Sequence, residues 1–294
     1  MLRKDIIAES EMILTEGGRI YHLDLAPEQL APTVIVVGDP DRVQMVSRYF
    51  DRVEHKAKHR EFITHTGYIG GKRLSVVSTG IGPDNIDIVV NELDALVNVD
   101  FGSRTVKEQK TTLSIIRFGT CGALQPDIAP DSMIVSSHGI GLDNLMHFYK
   151  YSSSPEEIFI LNEFLRHTSL PGKSLQPYVM EGSISLRKHF GEKYVHGITV
   201  TCPGFYGPQG RVLRAPIAYP NLIDALSSFK SGMHRIVNFE METSAIYGLC
   251  RILGHQCLSV NTAINNRQSK KVSSAKAQSV DNMIKESLQI IEKI

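Results

Sequence analysis

Asn238-Phe-Glu-Met-Glu-Thr-Ser-Ala-Ile-Tyr-Gly-Leu-Cys-Arg-Ile-Leu253 is the stretch on which the fold turns. Ile236, Val237 and Phe239 approach it as a short apolar strand. Then the period changes. Met241, Ala245, Ile246, Leu249, Ile252 and Leu253 lie on one side of a helix, and Gly254 stands where a C-terminal cap is expected. At the junction lie two acids, Glu240 and Glu242, either side of Met241. Acids at a helix start can simply favour its dipole from solvent. These two interrupt an apolar run, so at least one is expected to be partly buried, and a buried acid needs partners. Strand-to-helix junctions are also where α/β proteins bind ligands.

Working outward, the same strand-then-helix alternation recurs. Thr33-Val-Ile-Val-Val37 reads as a buried central strand, and Gly38-Asp-Pro-Asp-Arg-Val43 turns into a helix expected to reach about Phe50. Residues 62–69 and 73–78 read as strands of a hairpin turned by Gly70-Gly71. Thr79-Gly-Ile-Gly-Pro-Asp-Asn85 opens a helix carrying Ile86, Val89, Val90, Leu93, Leu96 and Val97 on one face. Strands are expected at 114–118, 132–137, 195–201 and 257–264, with the first ending in a turn, Gly119-Thr-Cys-Gly-Ala123. Ser154-Pro-Glu-Glu157 is a capping box for a helix to about Thr168, and a last helix begins near Ser274. The polar, basic 267–276 segment reads mostly as a solvated loop. The expected class is a single three-layer α/β/α domain, residues 21–294, on a mixed, largely parallel sheet, behind a lead-in of residues 1–20.

Composition sets the outer bounds. The 294 residues are 42% hydrophobic and 21% charged, with formal net charge +1, so no global field points to nucleic acid or membrane. Four cysteines (Cys121, Cys202, Cys250 and Cys257) form no CxxC pair and no metal-ligand spacing, which fits a reduced, cytoplasmic setting. The N-terminal stretch has acids throughout and no apolar core of a secretory signal. No HExxH motif or His/Cys set points to a metal.

Four strand ends are expected to open into polar or glycine-rich turns: 38–42, 79–82, 117–122 and 240–242. Gly38 permits close approach of backbone N–H groups to an anion, Arg42 and Arg117 can fork onto phosphate oxygens, and Thr120 can donate a hydroxyl. Phosphate or a phosphoester is the ligand class this fits. Neither standard nucleotide motif is present: Gly-Gly-Lys72 is followed by arginine, and Gly80-Ile-Gly82 lacks a third glycine. In the loop Cys202-Pro-Gly-Phe-Tyr-Gly-Pro-Gln-Gly-Arg211, Phe205 offers a face for a flat ring. The Gln209 amide matches an imide edge, and Arg211 can bond a carbonyl oxygen. A surface loop with incidental polar tips is the alternative there.

Seven stretches together resemble the nucleoside phosphorylase family that includes uridine phosphorylase. They are Gly38-Asp-Pro-Asp-Arg-Val43, His59-Arg-Glu-Phe62, Ser78-Thr-Gly-Ile-Gly82, Arg117-Phe-Gly-Thr-Cys-Gly122, Phe205-Tyr-Gly-Pro-Gln-Gly-Arg211, Phe239-Glu-Met-Glu242 and Asn266-Arg267. The resemblance implies a phosphate site of Gly38, Arg42, Arg117 and Thr120, with Arg60 supplied by a neighbouring subunit. It implies ribose contacts from Met241 and Glu242, with His22 reaching across from that subunit, and hence a homo-oligomer. It implies a uracil pocket of Phe205, Gln209 and Arg211 with Arg267 behind them, and no cofactor beyond phosphate as co-substrate. Arg117, Gln209, Arg211 and Glu242 would be the catalytic set. The Gln-Gly-Arg signature favours the uridine branch, since the strand ending Ala-Ile-Asn-Asn-Arg267 lacks the acid that purine enzymes carry. Three features depart from the family pattern. Cys121 replaces a small hydroxyl residue, Pro203 lies in the approach to Phe205, and Asn85 replaces a serine that in some relatives binds a monovalent cation near Glu61. A purine phosphorylase, a hydrolase on the same fold, and a non-catalytic nucleoside-binding protein remain as alternatives.

Overall fold

The computed structural model describes residues 6–170 and 175–294; the first five residues of the lead-in lie outside the described residues. In chain order the strands are β1 (Thr33–Val37), β2 (Arg52–His59), β3 (Phe62–Ile69), β4 (Lys72–Ser78), β5 (Val99–Asp100), β6 (Thr105–Val106) and β7 (Ser114–Ala123). They continue as β8 (Met133–Gly141), β9 (Tyr178–Glu181), β10 (Val195–Thr201), β11 (Lys230–Ser231), β12 (His234–Glu240), β13 (Gln256–Asn266) and β14 (Lys271–Val272). The helices are α1 (Pro40–Ser47), α2 (Pro83–Asn98), α3 (Pro155–Thr168), α4 (Ile184–Arg187), α5 (Leu222–Ser228), α6 (Thr243–Leu253) and α7 (Lys276–Ile291).

The alternation along β1 sets the layers. Val34 and Val36 pack into a core with Ile86, Val89 and Leu93 of α2 and Ala245, Ile246 and Leu249 of α6. Ile35 and Val37 face the other way, onto Val43 and Val46 of α1 and Met283, Ile284 and Leu288 of α7. Side chains of a strand alternate faces, so a strand buried on both sides must lie between two helical layers. A third cluster joins β10 and β12 to α3 and α5 through Ile198, Val200, Ile160, Phe164 and Leu226. Each such side chain, fully removed from water, contributes about 1.5–3 kcal/mol before its ordering entropy is charged. Met12 and Ile20 from the lead-in are buried in the first of these cores beside Leu23 and Leu25.

The main sheet has twelve strands in the order β11-β12-β10-β8-β13-β7-β1-β4-β3-β2, with β9 on β8 and β14 on β13. The long central pairings β4–β1, β1–β7 and β7–β13 are parallel, as are β8–β10 and β10–β12. These two parallel sets run against each other where β13 meets β8 and where β12 meets β7. The β12–β7 contact closes β12-β10-β8-β13-β7 into a ring, a feature beyond any local pattern. No helix among the described residues is long and apolar enough to cross a membrane.

Most expected elements stand within a few residues of their sequence positions, with four differences. The stretch 117–122 is not a turn: β7 runs straight through it to Ala123. Glycine there meets a packing need, because a Cβ on Gly119 would collide with the Arg117 guanidinium and Asn261 Oδ1. Helix α1 stops at Ser47, and Phe50 turns inward to lie buried beneath Gly67 of β3. The sheet edge β2 had no apolar signature, since it is mostly exposed and charged, as edge strands are. Within 267–276, Lys271 and Val272 pair with β13 and Ser273 is buried, so that segment is partly sheet.

Candidate functional site

A cavity of about 610 Å³ opens where β1, β4, β7 and β12 end. The antiparallel register of β12 on β7, with Phe239 opposite Gly122, sends Glu240, Met241 and Glu242 back along β7 towards Arg117. The cavity is lined by Gly38, Arg42, Arg117, Thr120, Phe205, Gln209, Arg211, Met241 and Glu242, nine of the residues singled out from sequence.

At its base sits a buried charge cluster. Arg117, 5% exposed, pairs with Glu242 Oε2, lies 3.2 Å from Glu240 Oε2, and donates to Asn261 Oδ1. Burial works against the Arg117 charge, but Glu240 and Glu242 outweigh it and push its pKa up. Arg42 donates to the Phe118 carbonyl at 3.2 Å. Its pKa is lowered, by burial first and then by neighbouring Arg117. Two guanidiniums near enough to repel each other, with Arg42 in no ion pair among the described residues, favour a bound anion.

The two acids divide their work. Glu240 caps the start of α6: its carboxylate accepts from the backbone N–H groups of Glu242 at 2.8 Å and Thr243 at 3.0 Å, and from the Thr201 hydroxyl at 2.8 Å. Burial pushes its carboxyl pKa up, with Arg117 pulling it back. Glu242 Oε1 accepts from the Gly82 N–H at 2.9 Å, which ties α6 to the turn before α2. Gly82 has φ +98° and Gly80 φ +72°, conformations that L side chains avoid, and this turn forms the wall beside Glu242.

The opposite wall is the loop after β10. Gln209 is 3% exposed, so this is not an incidental surface tip. The Arg211 guanidinium lies 3.8 Å from the centre of the Phe205 ring, donates to the Phe205 carbonyl at 2.8 Å, and bonds Gln209 Oε1. Burial, then the neighbouring Arg267 charge, lowers the Arg211 pKa. Arg267 does not line the cavity. It sits behind the loop and donates to the carbonyls of Gln209 at 3.0 Å and Gly210 at 3.4 Å.

His22 and Arg60 do not line the cavity of their own chain. His22 Nδ1 lies 2.6 Å from Glu92 Oε1, and Arg60 rests over the Tyr21 ring at the turn between β2 and β3. The adjacent Glu61 does line the cavity, as does Asn85. Cys121 is buried at the wall, its thiol pushed up to about 12 by burial, so it is un-ionised near neutrality.

Sequence reasoning passed over three contributors. Phe239 lies beneath both Arg211 and Arg267, 5.6 and 5.7 Å from its ring centre, and lines the cavity. Asn261 orients Arg117; its position three residues along the partner strand from Leu258 carried no local signal. Asn265 lines the cavity, and its buried Oδ1 has no hydrogen-bond partner among the described residues.

The phosphorylase superfamily model matches residues 32–294. Among curated proteins, the chain is 30% identical over 294 residues to uridine phosphorylase of Thermococcus kodakarensis, covering 99% of this chain and 92% of the relative. It is 29% identical to uridine phosphorylase of Escherichia coli, covering 87% and 89%. Among solved structures, a Trypanosoma brucei nucleoside phosphorylase described as showing uridine phosphorylase activity superposes with a TM-score of 0.84 at 29% identity, covering 93% and 98%.

Proposed function

The chain belongs to the phosphorylase superfamily and is a pentosyltransferase of the nucleoside phosphorylase type; from that premise we propose that its nucleoside is uridine, cleaved by inorganic phosphate to uracil and ribose 1-phosphate. The observation that supports this most is a single cavity with paired guanidiniums at one end, Glu242 in the middle, and the Gln209–Arg211 pair at the other. An anion, a sugar and an imide-bearing ring fit that sequence of chemistries.

In this reading phosphate is held by Arg42, Arg117 and Thr120 beside Gly38, with Arg60 from a neighbouring subunit. It is already an anion and needs no protein base. Glu242 accepts hydrogen bonds from ribose hydroxyls, Met241 packs on the sugar's apolar face, and the neighbour's His22 closes the sugar site. As the glycosidic bond lengthens, positive charge grows on the sugar and negative charge on the uracil carbonyls. Gln209 and Arg211 stabilise the latter as it develops, which lowers the barrier instead of merely tightening binding. Phosphate oxygen bonds to C1′ as the C1′–N1 bond breaks and its electrons leave with uracil, which then takes a proton. The reaction calls for no organic cofactor.

A nucleoside panel assayed for free base with and without phosphate tests the proposal. Uracil released from uridine only with phosphate is the expected result. Release without phosphate would indicate a hydrolase, preference for inosine would indicate a purine enzyme, and uridine-induced stabilisation without any uracil would indicate a binding protein. Each of these would overturn the reading.

A further inference from the structure

Away from the cavity, His138 on β8, Glu181 at the end of β9, Glu156 in the first turn of α3 and His234 at the start of β12 come together; none of the four lines the cavity. We propose that they form a binding site for a first-row divalent metal ion of the zinc type, one that fastens α3 to the sheet.

The backbone brings them together. His138 and Glu181 are direct register partners in the antiparallel β8–β9 pair, so their side chains share a face. The capping box of α3 commits Glu157 to Ser154 and to Arg251, which leaves the adjacent Glu156 free of those bonds. One donor atom from each of His138, Glu156 and Glu181 lies within 4.8 Å of the other two. His234 Nε2 is 3.1 Å from Glu156 Oε1, and its ring meets the His138 ring edge-on with centroids 5.4 Å apart, so it is in place as a fourth donor.

The second observation is independent of the clustering. His138 is 2% exposed, and its Nε2 is buried without a hydrogen-bond partner among the described residues. A buried ring nitrogen left unsatisfied is costly, and a metal ion would satisfy it. Donors of a tetrahedral zinc site stand about 3.4 Å apart at bond lengths of about 2.1 Å. The two carboxylates therefore need to close in by at most about 1.4 Å. Glu156 has half its side chain in solvent and Glu181 about a fifth, so both can move while His138 stays fixed. Arg187, 3.6 Å from Glu181 and partly exposed, turns outward as the ion enters. Two imidazoles and two carboxylates without a thiolate suit zinc and its neighbours, not a soft monovalent ion. The ligands come from four separate elements between residues 138 and 234, which is why no motif marks the site in the sequence.

The test uses the full chain stripped with chelator and titrated with Zn²⁺ alone, by calorimetry and thermal melting, and with Co²⁺ by visible absorption. The expected result is one ion per chain, a melting temperature raised by about 3 °C or more at saturation, and the intense visible bands of tetrahedral Co²⁺. Glu181→Gln and His234→Ala should each weaken binding at least tenfold, while His189→Ala, at an exposed histidine outside the cluster, leaves it unchanged. Glu181→Gln and His234→Ala carry the test even if His138→Ala fails to fold. Absence of saturable binding by either ion, or unchanged affinity in both variants, would overturn the proposal.

Discussion

Replacing Arg117 by methionine removes the one cation among the described residues in direct contact with two carboxylates, Glu240 and Glu242, each 4% exposed. Methionine keeps much of the volume, so the perturbation is electrostatic. Breaking a buried pair by deleting one partner costs about 3–5 kcal/mol, because the charge left behind is neither solvated nor paired. Unfolding entropy of about 2.1 cal/mol/K per residue over 294 residues makes each kcal/mol worth about 1.6 °C. The melting temperature should therefore fall by about 5–8 °C near pH 8. The loss should also depend on pH in a particular direction. Burial already raises the Glu240 carboxyl above the ordinary carboxylate range, and Arg117 pulls it down. Without Arg117 it rises further. A carboxyl whose folded pKa exceeds its unfolded value binds its proton in the folded state first, so it costs stability as pH climbs from about 4.5 through the folded pKa. The deficit against the native protein should be smaller near pH 5 than near pH 8. Adding Glu242→Gln to the variant should recover part of it. Thermal melts of the three proteins from pH 5 to 8, at one protein concentration, decide the matter. A deficit under about 2 °C, or one flat across that range, would refute the assignment of a net stabilising role to Arg117.

Four further outcomes follow from the site. Glu242→Gln should lower kcat/KM for uridine by about 10–100-fold, the worth of hydrogen bonds to a charged group, and should lower the melting temperature by less than Arg117→Met does, because the single amide oxygen can serve Gly82 or Arg117 but not both, while Arg117 keeps Glu240. Gln209→Ala should act mainly on kcat, read in steady-state uracil release, with phosphate KM unchanged; an effect on phosphate alone would contradict its place at the base. Arg60→Ala and Glu242→Gln proteins, each poorly active, should regain turnover when mixed, unfolded and reassembled, because hybrid oligomers contain some intact shared sites; no gain would argue against a shared site. All four thiols are buried, so alkylation at pH 8 should be slow in the folded protein and complete in denaturant, as followed by mass spectrometry.

Strand and helix periods in the sequence were sufficient for the layered α/β class, because β1, α2 and α6 each bury a face whose pattern is local. The ring closure through β12 and β7 was not legible, since it depends on a register between residues more than a hundred positions apart. The charged edge β2 was likewise hidden, having no buried face to leave a mark. At the site, Gly38, Arg42, Thr120, Gln209 and Glu242 could be singled out because glycines, forked cations and buried acids are rare in those contexts. Asn261 and Asn265 could not be: an asparagine in a long apolar strand has many explanations, and only the packed fold shows what each faces. Reading 117–122 as a turn went wrong for a related reason. Glycine marks both bends and close packing, and here Gly119 makes room for an arginine.

The two walls of the cavity differ in how firmly they are held. Arg117 and Thr120 lie on β7, which is paired along its length to β13, further to β1, and at its end to β12. Amide hydrogens there should exchange with solvent only when the whole sheet opens. Phe205, 48% exposed, and Tyr206, 53% exposed, belong to a loop braced mainly by its own arginine and by Arg267. Exchange from one wall of the cavity to the other should thus span from the slowest class in the molecule to among the fastest. An anion arriving at the β7 wall finds a finished surface and loses little to ordering. A ring arriving at the other wall must itself complete the surface, so its binding carries the larger entropic cost and the larger change in exchange.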